Sequence, residues 1–336
     1  MSKSTALVTG ATGFLGRHVV RELVARDVVV HALFRRPAQA QVLRSLGAVP
    51  LPGDVTDATS IDLAVARGAD VIFHIAADTN VWRQRNAQQT LVNVEGTRIV
   101  LDAARRYQIA GFVHTSSVSA MGVGNDQLLR DDAPLVATDS RVNYARTKAL
   151  AEELVWKAAD DHGLKVIVMY PSHLLGPGDT QNWSRMFRMI EQDSLPGVPP
   201  GSGPFADVRE VALAHVRAWE RQRYGECYLL GGEHATFMHL LTLAGRRLGR
   251  RVPAKAMSPN LLRAVARAQD LWSVFTRREP RLTPEGAALI CHDLRVDSSK
   301  AIGELDFRIV NLTKLVDDTL GWMRSTGYLQ PSGAAA

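Results

Sequence analysis

The sequence predicts a doubly wound α/β fold, in which helices cover both faces of a parallel sheet, followed by a smaller and mostly helical cap. Short apolar runs alternate with helical patterns through residues 1–180; beyond them helical patterns prevail, apart from a return to the sheet near residues 205–232. Strands that are apolar throughout are typical of a parallel sheet buried on both faces. We therefore expect a sheet domain over residues 1–180, a cap over residues 181–328 and a disordered tail over residues 329–336.

The first strand ends in a glycine-rich turn. Residues 6–8 form an apolar run that stops at Gly10, and helical spacing begins at Phe14. The amino terminus of a helix offers unpaired N–H groups and a positive dipole end to a phosphate, and Gly16 would let the helix pack closely on the strand. This pattern is typical of a dinucleotide-binding Rossmann fold rather than of a plain structural turn. We predict cofactor contacts from Gly10, Thr12, Gly13, Phe14 and Leu15.

The second strand ends in Arg35 and Arg36. In NAD-binding folds an acidic residue at this place accepts hydrogen bonds from the ribose 2′-hydroxyl group. A guanidinium group can instead pair with a 2′-phosphate, often through two hydrogen bonds. We therefore predict NADP(H) as the cofactor, with NAD(H) less favoured. The alternative is that both arginines are ordinary surface charges.

The third and fourth strands supply further expected cofactor contacts. Asp54 and Val55 follow the third strand, and the Asp54 carboxylate can accept a hydrogen bond from the adenine amino group. Ala76 and Ala77 follow the fourth strand, and their small side chains leave room for a cofactor over the strand ends. His74 lies inside that apolar strand, so we expect it to be structural and predict no metal site.

The predicted catalytic residues surround the end of the fifth strand. Tyr144 and Lys148 lie four residues apart on one predicted helix, so their side chains share a face. A tyrosine with its ordinary pKa of about 10 is a poor acid–base catalyst at neutral pH, and a nearby ammonium group lowers that pKa. Ser117, at the strand end, can donate a hydrogen bond to a substrate carbonyl oxygen. We predict that Ser117, Tyr144 and Lys148 form a site for hydride transfer.

The cap is expected to enclose the substrate over the carboxyl ends of the strands. Its helical patterns carry many large apolar side chains, which predict an apolar substrate, although core packing explains any one of them. These residues are Trp183, Met186, Phe187, Ile190, Leu261, Leu262, Trp272 and Phe275.

Composition excludes several classes of protein. With 46% hydrophobic and 22% charged residues the composition is that of an ordinary globular chain, and no apolar run approaches the roughly 20 residues of a membrane-spanning helix. Cys227 and Cys291 are too few for a disulfide framework or a zinc site. Because the chain leads directly into its first strand without a signal peptide, we expect a cytoplasmic protein.

The formal net charge of +6 is concentrated between residues 244 and 285, where ten basic residues accompany three acidic ones. The simplest interpretation is a solvated, arginine-rich set of helices. The alternatives are weak contact with a membrane surface or an acidic substrate tail. We expect no nucleic-acid partner, because no aromatic interleaving or reader motif accompanies the basic residues.

Several motifs together resemble those of the extended short-chain dehydrogenases/reductases, the NAD-dependent epimerase/dehydratase superfamily. Within it the chain is most similar to the dihydroflavonol-4-reductase-like and 3β-hydroxysteroid-dehydrogenase-like subgroup, whose members interconvert ketones and alcohols with a nicotinamide cofactor. The motifs are TGATGFLG at residues 9–16, GDVTD at 53–57, NVEGT at 93–97, TSS at 115–117, YARTK at 144–148 and PSHLLGPG at 171–178.

The resemblance implies a role for each matching catalytic residue. Tyr144 would give a proton to the ketone oxygen, Lys148 would tune the tyrosine and hold the ribose, and Ser117 would polarise the carbonyl group. Two departures bear on the substrate. Gly122 stands near the place of the asparagine that holds the flavonoid in plant dihydroflavonol reductases, and Met121 precedes it where sugar-nucleotide epimerases carry Tyr-Gly.

The resemblance also implies cofactor contacts and an assembly. Arg35 matches the family's 2′-phosphate ligand, and Pro171 and Ser172 match the segment that holds the nicotinamide end. The family implies a homodimer through the helices predicted over residues 87–107 and 142–159.

We therefore predict an NADPH-dependent oxidoreductase that interconverts a ketone or aldehyde and an alcohol on an apolar, small-molecule substrate. One alternative is a nucleotide-sugar epimerase or dehydratase with tightly held NAD. Another is a non-catalytic protein that senses NADP.

Overall fold

The computed structural model describes residues 3–124 and 127–329. Twelve strands are present in this part of the chain. They are β1 Thr5–Thr9, β2 Val29–Phe34, β3 Val49–Pro52, β4 Val71–His74, β5 Gly111–Thr115, β6 Leu128–Leu129, β7 Val166–Pro171, β8 His173–Leu175, β9 Ser202–Asp207, β10 Cys227–Leu230, β11 Glu233–Thr236 and β12 Arg295–Val296.

Thirteen α-helices lie in the same part of the chain. They are α1 Phe14–Val24, α2 Pro37–Ser45, α3 Ala58–Val65, α4 Asn86–Thr90, α5 Gly96–Arg106, α6 Asn143–His162, α7 Trp183–Glu191, α8 Val208–Glu220, α9 Phe237–Leu248, α10 Pro259–Thr276, α11 Pro284–Ile290, α12 Ser299–Leu305 and α13 Leu312–Ser325.

The main sheet confirms the predicted doubly wound α/β fold. Seven strands pair in the order β3-β2-β1-β4-β5-β7-β10, and every pairing is parallel. One face packs on α1 and α8 and the other on α3, α5 and α6. The central strands are buried on both faces, which is why most of their residues are apolar; His74, His114 and Thr115 are buried exceptions.

The strand order reverses between β1 and β4, because β2 and β3 follow on one side of β1 and the later strands of the sheet follow on the other. In open α/β sheets a ligand binds at such a point, outside the carboxyl ends of the strands. The glycine turn after β1 and the serine motif after β5 both lie at these strand ends. The fold therefore brings the two predicted motifs to one edge of the sheet.

The cap has its own core, and it contains more strands than the sequence predicts. Phe187 and Ile190 pack with residues of α9 and α13 in this core. Strands β11, β9 and β8 form a small sheet, and β12 pairs with β6. Glycine and proline are unfavourable inside a strand, yet β9 contains Gly203 and Pro204 and has a partner strand on each side. Tertiary pairing overrides local preference there.

Several helices differ from the sequence prediction. The helix expected over residues 87–107 consists of α4, a π-helical segment over Leu91–Glu95, and α5. Helices α2, α11 and α12 were not predicted. Both α2 and α11 begin with proline, which removes no hydrogen bond at the first helical position.

The predicted disordered tail is wrong at its first residue. Leu329 is only 2% exposed and packs in the core of the cap, and its N–H donates to the carbonyl oxygen of Met323. Residues 330–336 lie outside the described residues. Across the described ranges, no helix combines the length and apolarity needed to cross a membrane.

Candidate active site

The glycine turn after β1 leaves an open cradle at the amino terminus of α1. Gly10 has a φ of +67°, and a Cβ atom there would lie 2.6 Å from the backbone nitrogen of Ala76. A Cβ atom on Gly16 would lie 2.1 Å from the carbonyl oxygen of Gly10, so no side chain fits. Gly13 precedes α1 and is exposed to solvent. The first N–H groups of the helix, from Phe14 onward, are therefore accessible to an anion.

The walls of this cradle come from neighbouring strand ends. Ala76 and Ala77 follow β4, and the N–H of Ala76 donates to the Thr9 hydroxyl group at 3.3 Å. Thr12 lies in the turn itself, and its carbonyl oxygen accepts a hydrogen bond from the Arg17 guanidinium group. Leu15 faces inward and packs in the core with α1. A dinucleotide phosphate fits the space that the glycines keep free.

Arg35 and Asp54 stand side by side at the ends of β2 and β3. The Arg35 guanidinium nitrogen lies 3.8 Å from an Asp54 carboxylate oxygen, and the two side chains are 62% and 38% exposed. Asp54 also accepts hydrogen bonds from the N–H and hydroxyl group of Thr56, which fixes its orientation. Val55, in contrast, points into the core. Because so exposed an ion pair contributes little, the guanidinium group can turn to a phosphate.

Ser117 and Tyr144 face each other across the end of β5. Ser117 follows the strand and begins a 3₁₀ turn over Val118–Met121, whose Ser119 N–H donates to the Ser117 hydroxyl group at 3.2 Å. Tyr144 lies in the first turn of α6. Burial raises the pKa of the Tyr144 phenol, and its hydrogen bond with Ser117 acts in the opposite direction. The two hydroxyl groups thus form a pair that can bind one carbonyl oxygen.

Lys148 lies one turn further along α6 and is almost fully buried. Its ammonium group donates to the carbonyl oxygen of Thr115 at 2.5 Å. Burial lowers the pKa of Lys148 to about 8, and Glu152, a further turn along, acts to raise it. Lys148 therefore carries a proton for most of the time at pH 7.

Sequence reasoning missed Glu152, which anchors the catalytic helix to the sheet. Its carboxylate accepts a hydrogen bond from the Ser116 hydroxyl group at 2.6 Å and from Trp156 at 3.1 Å, and it also accepts one from the hydroxyl group of Tyr170. These bonds join α6 to the ends of β5 and β7. The signal in the sequence was a further acidic residue on the face that carries Tyr144 and Lys148.

One electrostatic expectation differs from the structure. We predicted that Lys148 lowers the pKa of Tyr144, but that pKa is raised and only Ser117 opposes the effect of burial. The reason is geometric, because the Lys148 ammonium group is directed to the Thr115 carbonyl oxygen. In the polypeptide alone, Lys148 therefore positions the strand end on which Ser117 depends.

A group of buried histidines lies beneath the catalytic residues. As expected, His74 is structural, since its ring bridges the hydroxyl groups of Thr9 and Thr97 at 2.9 and 3.0 Å. The His114 ring stacks on it with centroids 5.7 Å apart. Burial lowers the pKa of His74 to about 3 and that of His215 to about 4, so these rings are neutral at pH 7.

These histidines predict a loss of stability in acid. Their pKa values are lower in the folded chain than the 6.5 of a free histidine, so the unfolded chain binds more protons. Stability is fully present above pH 6.5 and falls as the pH drops towards about 4, by about 1.4 kcal/mol per pH unit for each such histidine. Urea unfolding at several pH values measures this slope. We expect His74→Gln to reduce it by about one proton, whereas His239→Gln, at an exposed position, should leave it unchanged; equal slopes in all three proteins would contradict the prediction.

The Ser117 and Tyr144 hydroxyl groups open into a cleft of about 290 Å³ between the sheet and the cap. Seven of the other fourteen lining residues are apolar, and the polar ones include Thr79, Ser119 and Asn182. Gly122, noted above as a departure from flavonoid reductases, also lines the cleft. The apolar lining residues are Val81, Val118, Val123, Leu174, Trp183, Leu289 and Leu294.

Two histidines in the wall of the cleft were not predicted. His173 packs against the rings of Trp183, Phe205 and Phe237 at 5.4 to 5.6 Å, and burial lowers its pKa to about 4. His292 lines the same cleft. His173 lies within the PSHLLGPG motif, but its place in the wall of the cleft depends on the pairing of β8 with β9.

The residues expected after β7 reach the same cleft. Pro171 ends β7, and the N–H of Ser172 donates to the Leu230 carbonyl oxygen at 3.1 Å. The Ser172 side chain lines the cleft and donates to the Pro204 carbonyl oxygen at 3.0 Å. This segment therefore lies between the main sheet and the cap.

Several apolar residues predicted to surround the substrate lie elsewhere. Of that set, Trp183 lines the cleft, whereas Phe187, Ile190 and Leu262 are buried in the cap. Leu261, Trp272 and Phe275 are exposed on the surface of α10. Helical spacing identified an apolar face, but it could not tell whether that face turns inward.

Comparison with known proteins agrees with this geometry. The model of the NAD dependent epimerase/dehydratase family matches residues 6–231. Sterol demethylase protein B of Methylococcus capsulatus is 31% identical over 97% of this chain and 100% of its own length. The 4-hydroxy-2-methyl-3-oxo-4-farnesyl-3,4-dihydroquinoline-1-oxide ketoreductase of Stigmatella aurantiaca is 31% identical over 89% of this chain and 90% of its own.

A solved structure described as that of gox2253 superposes with a TM-score of 0.83 and 29% identity, over 98% of this chain and 100% of the other. The family model, the relatives and the solved structure therefore agree on one family. Its motifs in this chain include the glycine cradle, the Ser117–Tyr144 pair and Lys148. This chain belongs to the NAD-dependent epimerase/dehydratase family of extended short-chain dehydrogenases/reductases.

Proposed function

We propose that this protein is an NADPH-dependent reductase of an apolar ketone or aldehyde, which also oxidises the corresponding alcohol with NADP⁺. Family membership makes it an NAD(P)-dependent oxidoreductase of the short-chain type. The observation that carries the finer proposal is the hydrogen-bonded Ser117–Tyr144 pair at the base of a partly apolar cleft. On the cap side of that base lie the apolar side chains of Trp183, Leu289 and Leu294, together with Asn182 and His292.

The residues divide the work of carbonyl reduction. Ser117 donates a hydrogen bond to the carbonyl oxygen, where negative charge develops. Tyr144 donates its phenolic proton to that oxygen as the alcohol forms. The nicotinamide cofactor supplies the hydride when bound. Lys148 and Glu152 hold the ends of β5 and β7 in place, so that the two hydroxyl groups stay aligned.

Two features support an apolar substrate. Trp183 and Leu289 close the cleft from the cap. Below it, Lys148 of α6 donates to the backbone, and Glu152 accepts from the hydroxyl groups of Ser116 and Tyr170. Among the relatives, one is named a reductase of 2-alkyl-3-oxoalkanoates and another a ketoreductase of a farnesylated quinoline oxide. We propose a substrate of this kind, a ketone beside a long or bulky hydrocarbon group.

The first experiment is to follow NADPH oxidation with a 2-alkyl-3-oxoalkanoate, a 3-oxosteroid and cyclohexanone, with NADH in parallel. We expect faster turnover of the two bulky ketones than of cyclohexanone, and faster turnover with NADPH than with NADH. Purified protein that carries tightly bound NAD and turns over only nucleotide sugars would establish the epimerase alternative. NADPH binding without turnover of any substrate would favour the sensing alternative.

Arg35→Ser tests the cofactor preference. Loss of a guanidinium–phosphate pair is expected to raise the KM for NADPH by about tenfold to a hundredfold, while the KM for NADH changes little. The measurement is initial rate against cofactor concentration for both cofactors. Arg44→Ser, on the exposed last turn of α2, is the matched control and should change neither constant. Parallel increases for NADPH and NADH in the Arg35 variant would disprove the phosphate contact.

We also propose a homodimer through the outer faces of α5 and α6, as the family resemblance implies. Leu91 and Tyr107 are exposed on this side of the molecule, just before and just after α5. Sedimentation of a single monomeric species at micromolar concentration would contradict this assembly.

A further inference from the structure

The inward side of helix α10 carries both apolar and polar residues, and its outward side exposes large apolar side chains. Its buried residues are Leu262, Ala266, Asp270 and Ser273. Leu271, Trp272 and Phe275 are instead 64%, 68% and 82% exposed. Together with Leu261, Ala264 and Ala268, these three side chains form a stripe along one side of the helix, which we call the outer stripe.

Contacts from the segment before α4 hold Asp270 and Ser273 on the inward side of α10. The Arg83 guanidinium group pairs with the Asp270 carboxylate at 2.9 Å, and the Trp82 indole N–H donates to the Ser273 hydroxyl group at 3.4 Å. Leu262 and Ala266 pack with Ala287 of α11 on the same side. The rotation of α10 is therefore fixed by its neighbours, and it leaves the outer stripe in water.

Basic side chains border the outer stripe. Arg263, Arg267, Arg277, Arg278 and Arg281 are all exposed. The nearby acidic groups are directed elsewhere, since Asp270 pairs with Arg83 and Glu279 accepts a hydrogen bond from Asn80 at 3.0 Å. This face therefore combines large apolar side chains with uncompensated positive charge.

We infer that the outer stripe of α10 docks on an anionic membrane surface. Aromatic and aliphatic side chains on one face of a helix, flanked by arginines, suit the boundary between headgroups and acyl chains. The positive border is complementary to anionic lipid headgroups. A second copy of the chain fits less well, because a twofold contact on the same face would oppose arginine with arginine.

The position of α10 gives this surface a consequence for the substrate. The segment over residues 79–83 separates the helix from the cleft, since Thr79 and Val81 line the cleft while Trp82 and Arg83 contact α10. Docking would bring the rim of the cleft close to the bilayer. That consequence depends on the proposed function, whereas the docking itself does not.

Vesicle co-sedimentation of the full chain tests the inference without any substrate. We expect binding to phosphatidylcholine vesicles that contain phosphatidylglycerol, little binding to phosphatidylcholine alone, and weaker binding as salt is raised. The triple variant Leu271→Gln, Trp272→Gln, Phe275→Gln should lower the partition coefficient about tenfold or more, and Arg263→Gln with Arg267→Gln should lower it several-fold. The matched control is Leu63→Gln, which alters a 67% exposed leucine on α3 and should bind like wild type.

Further measurements distinguish loss of membrane binding from loss of the fold. Urea unfolding and NADPH binding must be the same in the triple variant and wild type, which shows that the fold is intact. Quenching of tryptophan fluorescence by brominated lipid should be seen in wild type and largely lost in Trp272→Phe. Equal vesicle binding by wild type and the triple variant would overturn the inference, as would a stripe substitution that changes only the sedimentation coefficient in the absence of lipid. Failure of the ketone assay would leave both vesicle results standing.

Discussion

Replacing Tyr144 with phenylalanine is expected to lower kcat for ketone reduction by about 10²–10⁴-fold. The substitution removes the phenolic proton and one of the two groups that bind the carbonyl oxygen. The aromatic ring stays and keeps its packing against the apolar cluster at the start of α6. The cofactor cradle lies at the other end of the site, so NADPH affinity should be nearly unchanged. Stopped-flow absorbance gives the rate of hydride transfer, and fluorescence titration gives the dissociation constant of NADPH.

The matched control is Tyr107→Phe, which removes a hydroxyl group from a 40% exposed tyrosine after α5. Its kinetic constants should equal those of wild type. A Tyr144→Phe variant that keeps more than about a tenth of the wild-type kcat would mean that another group delivers the proton.

Introducing a methyl group at Gly16 should damage both the stability of the fold and the cofactor cradle. The Cβ atom of Gly16→Ala would lie 2.1 Å from the Gly10 carbonyl oxygen and 3.0 Å from the Ala11 Cα atom, both of them backbone. Helix α1 would have to move away from β1 and take its N–H groups with it. We expect a loss of about 1–3 kcal/mol or more in the free energy of unfolding, together with a loss of NADPH binding. Urea unfolding and fluorescence titration measure the two effects.

Gly321→Ala is the matched control for that prediction. Gly321 also lies inside a helix, α13, but a Cβ atom there meets nothing within 4 Å. This substitution should raise the free energy of unfolding by about 0.5–1 kcal/mol, because alanine loses less backbone entropy in a helix than glycine does. If both variants gain stability, the close contact between α1 and the turn is not a constraint.

Local patterns in the sequence were sufficient to predict the sheet and the site placed on it. The alternation of apolar runs with helical patterns predicted the parallel sheet, and helical spacing from Phe14 predicted the start of α1. The positions of Ser117 and Tyr144 followed from parallel strands, whose carboxyl ends must meet at one edge. These predictions depend only on the spacing of residues that are close together in the sequence.

The parts that could not be predicted depend on contacts between distant residues. Glu285, on α11, accepts hydrogen bonds from the Asn143 N–H at 2.9 Å and the Asn86 amide group at 3.1 Å, and so ties the cap to the catalytic helix. The rotation of α10 is likewise decided by Arg83, far away in sequence. Amphipathic spacing is the same whichever side of a helix faces the protein, so only the partner can settle the choice.

The late position of β10 in the chain matters for how the protein is made. This strand covers the outer edge of β7, and it is synthesised only after β8, β9, α7 and α8. A nascent chain that already contains the glycine cradle and the catalytic helix therefore still presents a row of unpaired backbone groups along an apolar strand, to which another chain can add. The first 180 residues hold all three candidate catalytic side chains, but without β10 their sheet ends in the unpaired edge of β7. Protection of the nascent chain from aggregation therefore depends on β10, a strand that carries none of the candidate catalytic residues.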